Sequence, residues 1–222
     1  MRALSRWHVW LGWIIGLPLL MWTLTGLLMV SRPIEEVRGE HLRRDAAPAT
    51  LPANLAAELR LPGGMTAATE VTIRMVDDRP IVFVKDAAAI RRYDTQGSPL
   101  APVSEADARS IVARQIVNGA AQTDVRFYPA DAAPLDFRRE VPAWRVALED
   151  GTHVYVGQET GAIEAVRTPF WRLFDVAWGL HIMDLKGRSD THHPILIAFA
   201  ALAATGTLIG VVLLFRRRGR KR

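Results

Sequence analysis

The sequence predicts a membrane α+β protein in which two transmembrane helices flank an extracytoplasmic domain of helix plus antiparallel sheet units. Three observations predict it. Residues 9–30 and 194–215 each run about 22 positions without a charge, roughly 33 Å as helices, enough to cross a bilayer core. The chain carries 28 Lys+Arg against 23 Asp+Glu, a formal net charge of +5, and the excess sits at its two ends. Between the apolar segments, short alternating runs and glycine-containing turns take over.

The leading residues, 1–8, carry Arg2 and Arg6, and the closing residues, 216–222, carry Arg216, Arg217, Arg218, Arg220, Lys221 and Arg222. Without those eight, 20 basic residues face 23 acidic ones. The high pI therefore belongs to two tails and argues against a nucleic-acid partner. Basic residues beside a span stay on the cytoplasmic side, while a long loop crosses largely regardless of charge. Both termini are expected in the cytoplasm and the residues between the spans outside that membrane. A cleaved signal peptide is the rival for the first span, but its apolar core is about 7–15 residues and ends in a small-x-small site. This segment is longer and leads into Ser31-Arg32-Pro33-Ile34. The absence of cysteine excludes disulfides, thiolate metal sites, iron–sulfur clusters and covalent c-type haem attachment.

The outer domain, 31–168, reads as two similar, degenerate units, about 51–98 and 104–167. In the second, Ser104-Glu105-Ala106-Asp107 has the form of a capping box opening an amphipathic stretch to about Val117. Strand patterns follow at 125–128, 143–149, 153–157 and 162–166, with a hairpin turn at Asp150-Gly151 and another turn at Glu159-Thr160-Gly161. The first unit repeats that order: a short helix at 53–59, strands at 71–76, 81–85 and 90–93, and turns at Asp77-Asp78 and Thr95-Gln96-Gly97. Each unit is expected to pack a helix on a small sheet. Residues 169–193 read as a juxtamembrane helix rich in aromatics, then a polar loop containing Lys186-Gly187-Arg188.

These residues resemble the PepSY-associated transmembrane proteins. Arg6-Trp7-His8-Val9-Trp10-Leu11-Gly12-Trp13 is similar to that family's first-helix motif, and Thr25-Gly26-Leu27-Leu28 to its outer end. Glu149-Asp150-Gly151-Thr152-His153-Val154-Tyr155-Val156 resembles the paired strands of a PepSY domain, and Gly179-Leu180-His181 through Gly187-Arg188 the second membrane motif. The resemblance implies a bacterial inner-membrane protein with a periplasmic domain, linked to iron uptake. Some members are haem proteins that reduce ferric siderophores. Larger members have about four spans, whereas this chain has two.

An ionisable side chain at a span is a functional hypothesis by default. His8, Gly12 and Gly16 follow at i, i+4 and i+8, so an imidazole stands above two positions without side chains, room for a macrocycle. With the resemblance, His8 and His181 become the candidate axial ligands of a b-type haem iron. The competing reading treats Gly12-x-x-x-Gly16 and Gly206-x-x-x-Gly210 as packing faces. His192 and His193 are secondary candidates, of which one alone can face a given site on a helix. His153 and His41 are read as solvated, as are Lys186 and Arg188. His8 and His181 lie near opposite membrane faces and cannot share one iron, so a homodimer or a larger membrane partner supplies the second ligand. Without a G-x-G-x-x-G or P-loop pattern, electrons come from quinol or a partner protein.

The expected function is a haem-dependent electron carrier in ferric or siderophore iron reduction, with a ferric siderophore as possible partner. Two alternatives stand beside it: a membrane-anchored binding module regulating a periplasmic peptidase, and a subunit that assembles a larger complex.

Overall fold

A computed structural model describes residues 2–44, 50–63, 67–76, 79–87 and 89–219. The predicted Asp77-Asp78 turn and the tail residues Arg220, Lys221 and Arg222 lie outside the described residues. The chain divides into two compact units, one formed by Met1–Val37 with Phe170–Arg222, the other by Arg38–Pro169.

The first unit is helical. Helix α1 covers Arg2–Val30, α2 Ile34–Val37, α5 Pro169–His181 and α6 Pro194–Gly219. Two segments, Ser5–Val30 and Pro194–Arg216, are long and apolar enough to cross a membrane, with 11% and 17% of their apolar windows buried. The helix of a soluble core would be mostly covered; these present apolar surface outward, with Trp13 81%, Leu17 75% and Leu208 66% exposed. The two long helices pack antiparallel, for His8 lies against Gly210, Ile15 against Gly206, and Trp22 edge-on to Phe199 at 5.9 Å.

The second unit holds two antiparallel sheets, ordered β1-β2-β3 and β4-β5-β6-β7. Their strands are β1 Glu70–Val76, β2 Arg79–Lys85, β3 Ile90–Tyr93, β4 Gln122–Tyr128, β5 Ala143–Leu148, β6 His153–Gly157 and β7 Ile163–Arg167. Helix α4, Glu105–Gln115, packs on the four-stranded sheet. Its start is a full capping box: the Asp107 amide donates to Ser104 Oγ at 3.2 Å and the Ser104 amide to Asp107 Oδ2 at 3.0 Å. The Ser104 hydroxyl, donating to Asp107 Oδ2 at 2.7 Å, and then the Ser104 amide hold the Asp107 carboxyl below its ordinary range. Ala108, Ile111 and Val112, at helical spacing, bury against Val146, Leu148, Val154, Val156, Ile163 and Val166. The helix stops two residues before Val117, because residues 42–44 run alongside: Arg44 N donates to Gln115 O and Val117 N to Leu42 O, each at 2.8 Å.

Asp150-Gly151 makes the β5–β6 turn, with Gly151 at φ 79° and the Thr152 amide donating to Asp150 Oδ1 at 2.8 Å. The other face of this sheet is covered by residues 129–142, whose Phe137 stacks on Tyr155 with ring centroids 4.4 Å apart. In the first unit of the expected pair the helix shrinks to one turn, α3, Leu55–Glu58. A short stretch between Pro52 and Pro62 cannot exceed the cost of helix nucleation.

Candidate functional site

Two histidines of the helical unit, His8 and His181, meet one seam of α1. His8, Leu11, Ile15, Trp22 and Thr25 recur at the 3 and 4 spacing of a heptad, the stripe that stays turned toward neighbouring helices. At one end His8 meets α6. A Cβ built on Gly210 would stand 2.9 Å from His8 Cε1 and 3.4 Å from Nε2, so the absent side chain is what admits the ring. His8 Nδ1 is buried without a hydrogen-bond partner among the described residues.

At the other end His181, the last residue of α5, rests on α1. Its Nδ1 lies 3.0 Å from Thr25 Oγ1, its ring 5.1 Å from that of Trp22, and its Cε1 at 3.4 Å from where a Cβ on Gly26 would be. Thr25 is buried, 8% exposed, and its hydroxyl is bonded back to its own helix, at 2.9 Å from Met21 O and 3.0 Å from Trp22 O. His8 and the Thr25 contact are seventeen positions apart on α1, about 26 Å along a helix. One iron cannot bind both imidazoles within a single copy.

The turn after α5 is held by its own side chains. Met183, in the left-handed region at φ 58°, closes the helix: Asp184 N donates to Gly179 O at 3.0 Å and Met183 N to Leu180 O at 3.2 Å, a Schellman pattern with methionine where glycine is usual. The Asp184 carboxylate then accepts amide hydrogens from Gly187 at 2.9 Å, Asp190 at 3.2 Å and Ser189 at 3.1 Å. Those three bonds pull its carboxyl down to about 2, with a smaller attraction from the His193 imidazole. Arg188 is not a solvated loop residue, contrary to the expectation from sequence. It pairs at 2.5 Å with Asp175, which is 5% exposed, its stem lies over the bare Cα of Gly179, and its carbonyl accepts from Trp178 Nε1 at 3.0 Å.

His192 is exposed, its amide donating to Asp190 Oδ1 at 2.8 Å. His193 is half-buried; its carbonyl accepts from Ile197 N at 3.2 Å as α6 begins, and its Nδ1 is buried without a hydrogen-bond partner among the described residues. Among the described residues nothing lies within 4 Å of where a Cβ on Gly12 or Gly16 would stand, whereas Gly206 and Gly210 face Ile15 and His8.

The second unit holds a cluster that the sequence did not disclose. Asp136 accepts from Tyr155 OH at 2.7 Å and pairs with His153 Nδ1 at 3.1 Å, while Arg167 Nε donates to the Asp136 carbonyl at 2.7 Å. Burial, then the bond to Asp136, pushes the Tyr155 phenol far above its usual range. His153 is thus tied down, not solvated; its partner stands 17 residues earlier, in an irregular segment with no periodic signal. The cluster joins residues 129–142 to β6 and β7.

No group of three or more His, Asp or Glu side chains able to hold a free metal ion occurs among the described residues. The imidazoles do suit a haem iron. A neutral imidazole with one nitrogen held and the other free is the usual axial donor, which describes His181; His8 keeps an unpartnered buried nitrogen, and the helix surface at Gly12 and Gly16 is open.

A family profile described as the PepSY-associated TM region matches residues 5–222. No curated protein and no solved structure matches the chain.

Proposed function

The chain belongs to the PepSY-associated transmembrane family, and from that premise we propose that this membrane protein is a haem-dependent electron carrier serving ferric or ferric-siderophore reduction. In this reading it sits in the bacterial inner membrane with both termini cytoplasmic and the sheet-bearing unit periplasmic, as the basic tails favour. The observation that carries the reading is the state of His181, whose Nδ1 is committed to Thr25 at 3.0 Å and whose Nε2 remains as a donor.

A bound haem supplies a one-electron ferric/ferrous couple in a dry site. His181 would hold the iron at the periplasmic end and His8 a second iron at the cytoplasmic end, about 26 Å away along α1. A second copy of the chain would add the further imidazoles: His8 from the mate at one end, and His181, His192 or His193 at the other. The surface at Gly12 and Gly16 gives a flat group access to the helix backbone. In this reading quinol or a partner protein would be the donor on the inner side and a ferric complex the acceptor outside.

The test is haem content of His8→Ala and His181→Ala, each purified in detergent. Each variant should lose one haem class and keep the other. Full haem in both would remove the ligand assignment, and a monomer retaining full haem would remove the second copy.

A further inference from the structure

The pair Thr25-Gly26 sits where α1 meets the end of α5, and both residues act on one ring. Gly26 makes the space: with a Cβ there, His181 Cε1 would be 3.4 Å away. Thr25 sets the chemistry. A threonine hydroxyl owns one hydrogen. Two acceptors on the helix compete for that hydrogen, Met21 O at 2.9 Å and Trp22 O at 3.0 Å, and neither carbonyl can donate. With the hydrogen given to either of them the oxygen has only lone pairs toward His181, and the contact at 3.0 Å is then made by the imidazole N–H. The Trp22 carbonyl is a further acceptor beside the ring. A neutral histidine with its proton on Nδ1 has its lone pair on Nε2.

We infer that Thr25 is a positioning residue that locks His181 into the Nδ1–H tautomer and so selects Nε2 as the coordinating nitrogen. Free histidine in water favours the opposite tautomer, in which the nitrogen that would bind iron carries the proton, and the Thr25 oxygen is the acceptor that reverses that preference. The structural alternative, in which Thr25 merely fills space under the ring, predicts that an isosteric valine serves as well. The inference deepens the haem reading and takes its importance from it, but the tautomer exists with or without a bound group.

The test uses the full-length chain in lipid nanodiscs, labelled with ¹⁵N-histidine, freed of haem, with His181→Ala to assign the signal. At a pH where the ring is neutral, wild type and Thr25→Ser should show His181 protonated at Nδ1, and Thr25→Val should show it protonated at Nε2. A wild-type ring protonated at Nε2, or a tautomer indifferent to Thr25→Val, overturns the inference. Should Thr25→Val fail to fold, the wild-type spectrum alone decides. Haem titration separates the two claims. With a wild type that binds haem, Thr25→Val should weaken binding about 10-fold or more and Thr25→Ser should restore it; equal affinity in all three overturns the positioning role. A wild type that binds no haem, yet shows Nδ1–H, defeats the haem reading and sustains the tautomer assignment.

Discussion

Thr25 and His181 are joined hydroxyl to imidazole at 3.0 Å across 156 residues of sequence. The bond ties the far end of the first span to the last residue of the amphipathic helix α5, so the position of that imidazole is set by tertiary packing. Whatever His181 does, α1 must be in place for it to do it.

The α1–α6 seam yields a ranking of two glycine substitutions. Both gain about 1 kcal/mol of helix propensity on becoming alanine. At Gly206 the new Cβ meets the mobile end of Ile15, Cδ1 at 2.8 Å, which can turn away; at Gly210 it meets the ring of His8 at 2.9 Å. Thermal unfolding in detergent should show Gly206→Ala near neutral or stabilising, and Gly210→Ala lower by roughly 1–3 kcal/mol, the range of overpacking. Equal melting points would contradict the packing of His8 on Gly210.

The Asp175–Arg188 pair is buried on the aspartate side, so removing one partner takes away the counter-charge that the other meets there. Asp175→Ala should destabilise by about 3 kcal/mol, and the double replacement Asp175→Leu with Arg188→Met by much less than the two single changes together. A double-mutant cycle in denaturant measures the difference. Additive losses would show that the pair contributes nothing as a pair.

Asp184 gives a pH dependence. Its folded value, about 2, lies below the ordinary carboxyl value of about 3.9. A depressed carboxyl contributes stability that is fully present above the unfolded value and is lost as pH falls through the folded one. The amide signals of Gly187, Ser189 and Asp190 should hold their positions from neutral pH down to about 3 and move together with a midpoint near 2. In Asp184→Asn they should be displaced at every pH. A transition near pH 6 would point to a histidine instead.

Asp136 anchors residues 129–142 to the sheet. Asp136→Ala leaves the buried Tyr155 hydroxyl without an acceptor, at a loss of roughly 1–3 kcal/mol, and frees Phe137 to lift from its stack. Hydrogen exchange in the full chain should quicken at residues 133–139 while α4 stays protected. Uniform quickening of α4 as well would mean that the cluster supports the whole unit.

How much was legible follows from the range of each interaction. The Ser104 capping box and the Asp150-Gly151 turn were readable because each is a side chain bonding backbone two or three residues away. The apolar spans were readable from length alone. From sequence His153 and Arg188 read as solvated because their partners, Asp136 and Asp175, lie 17 and 13 residues off, across an irregular segment and a helix end. The heptad placing of His8, Ile15, Trp22 and Thr25 was in the sequence throughout, but nothing local says that Gly210 meets the first and His181 the last. Likewise the two GxxxG patterns read alike, yet only Gly206 and Gly210 are covered in a single copy.

The visible absorption spectrum of the purified protein, expressed with ample haem and recorded before and after dithionite, decides whether the chain carries haem. A haem carrier should give a Soret band that shifts and sharp α and β bands on reduction, the mark of low-spin iron with two imidazoles. A colourless protein would contradict the haem reading and leave His8 as a ring packed on Gly210.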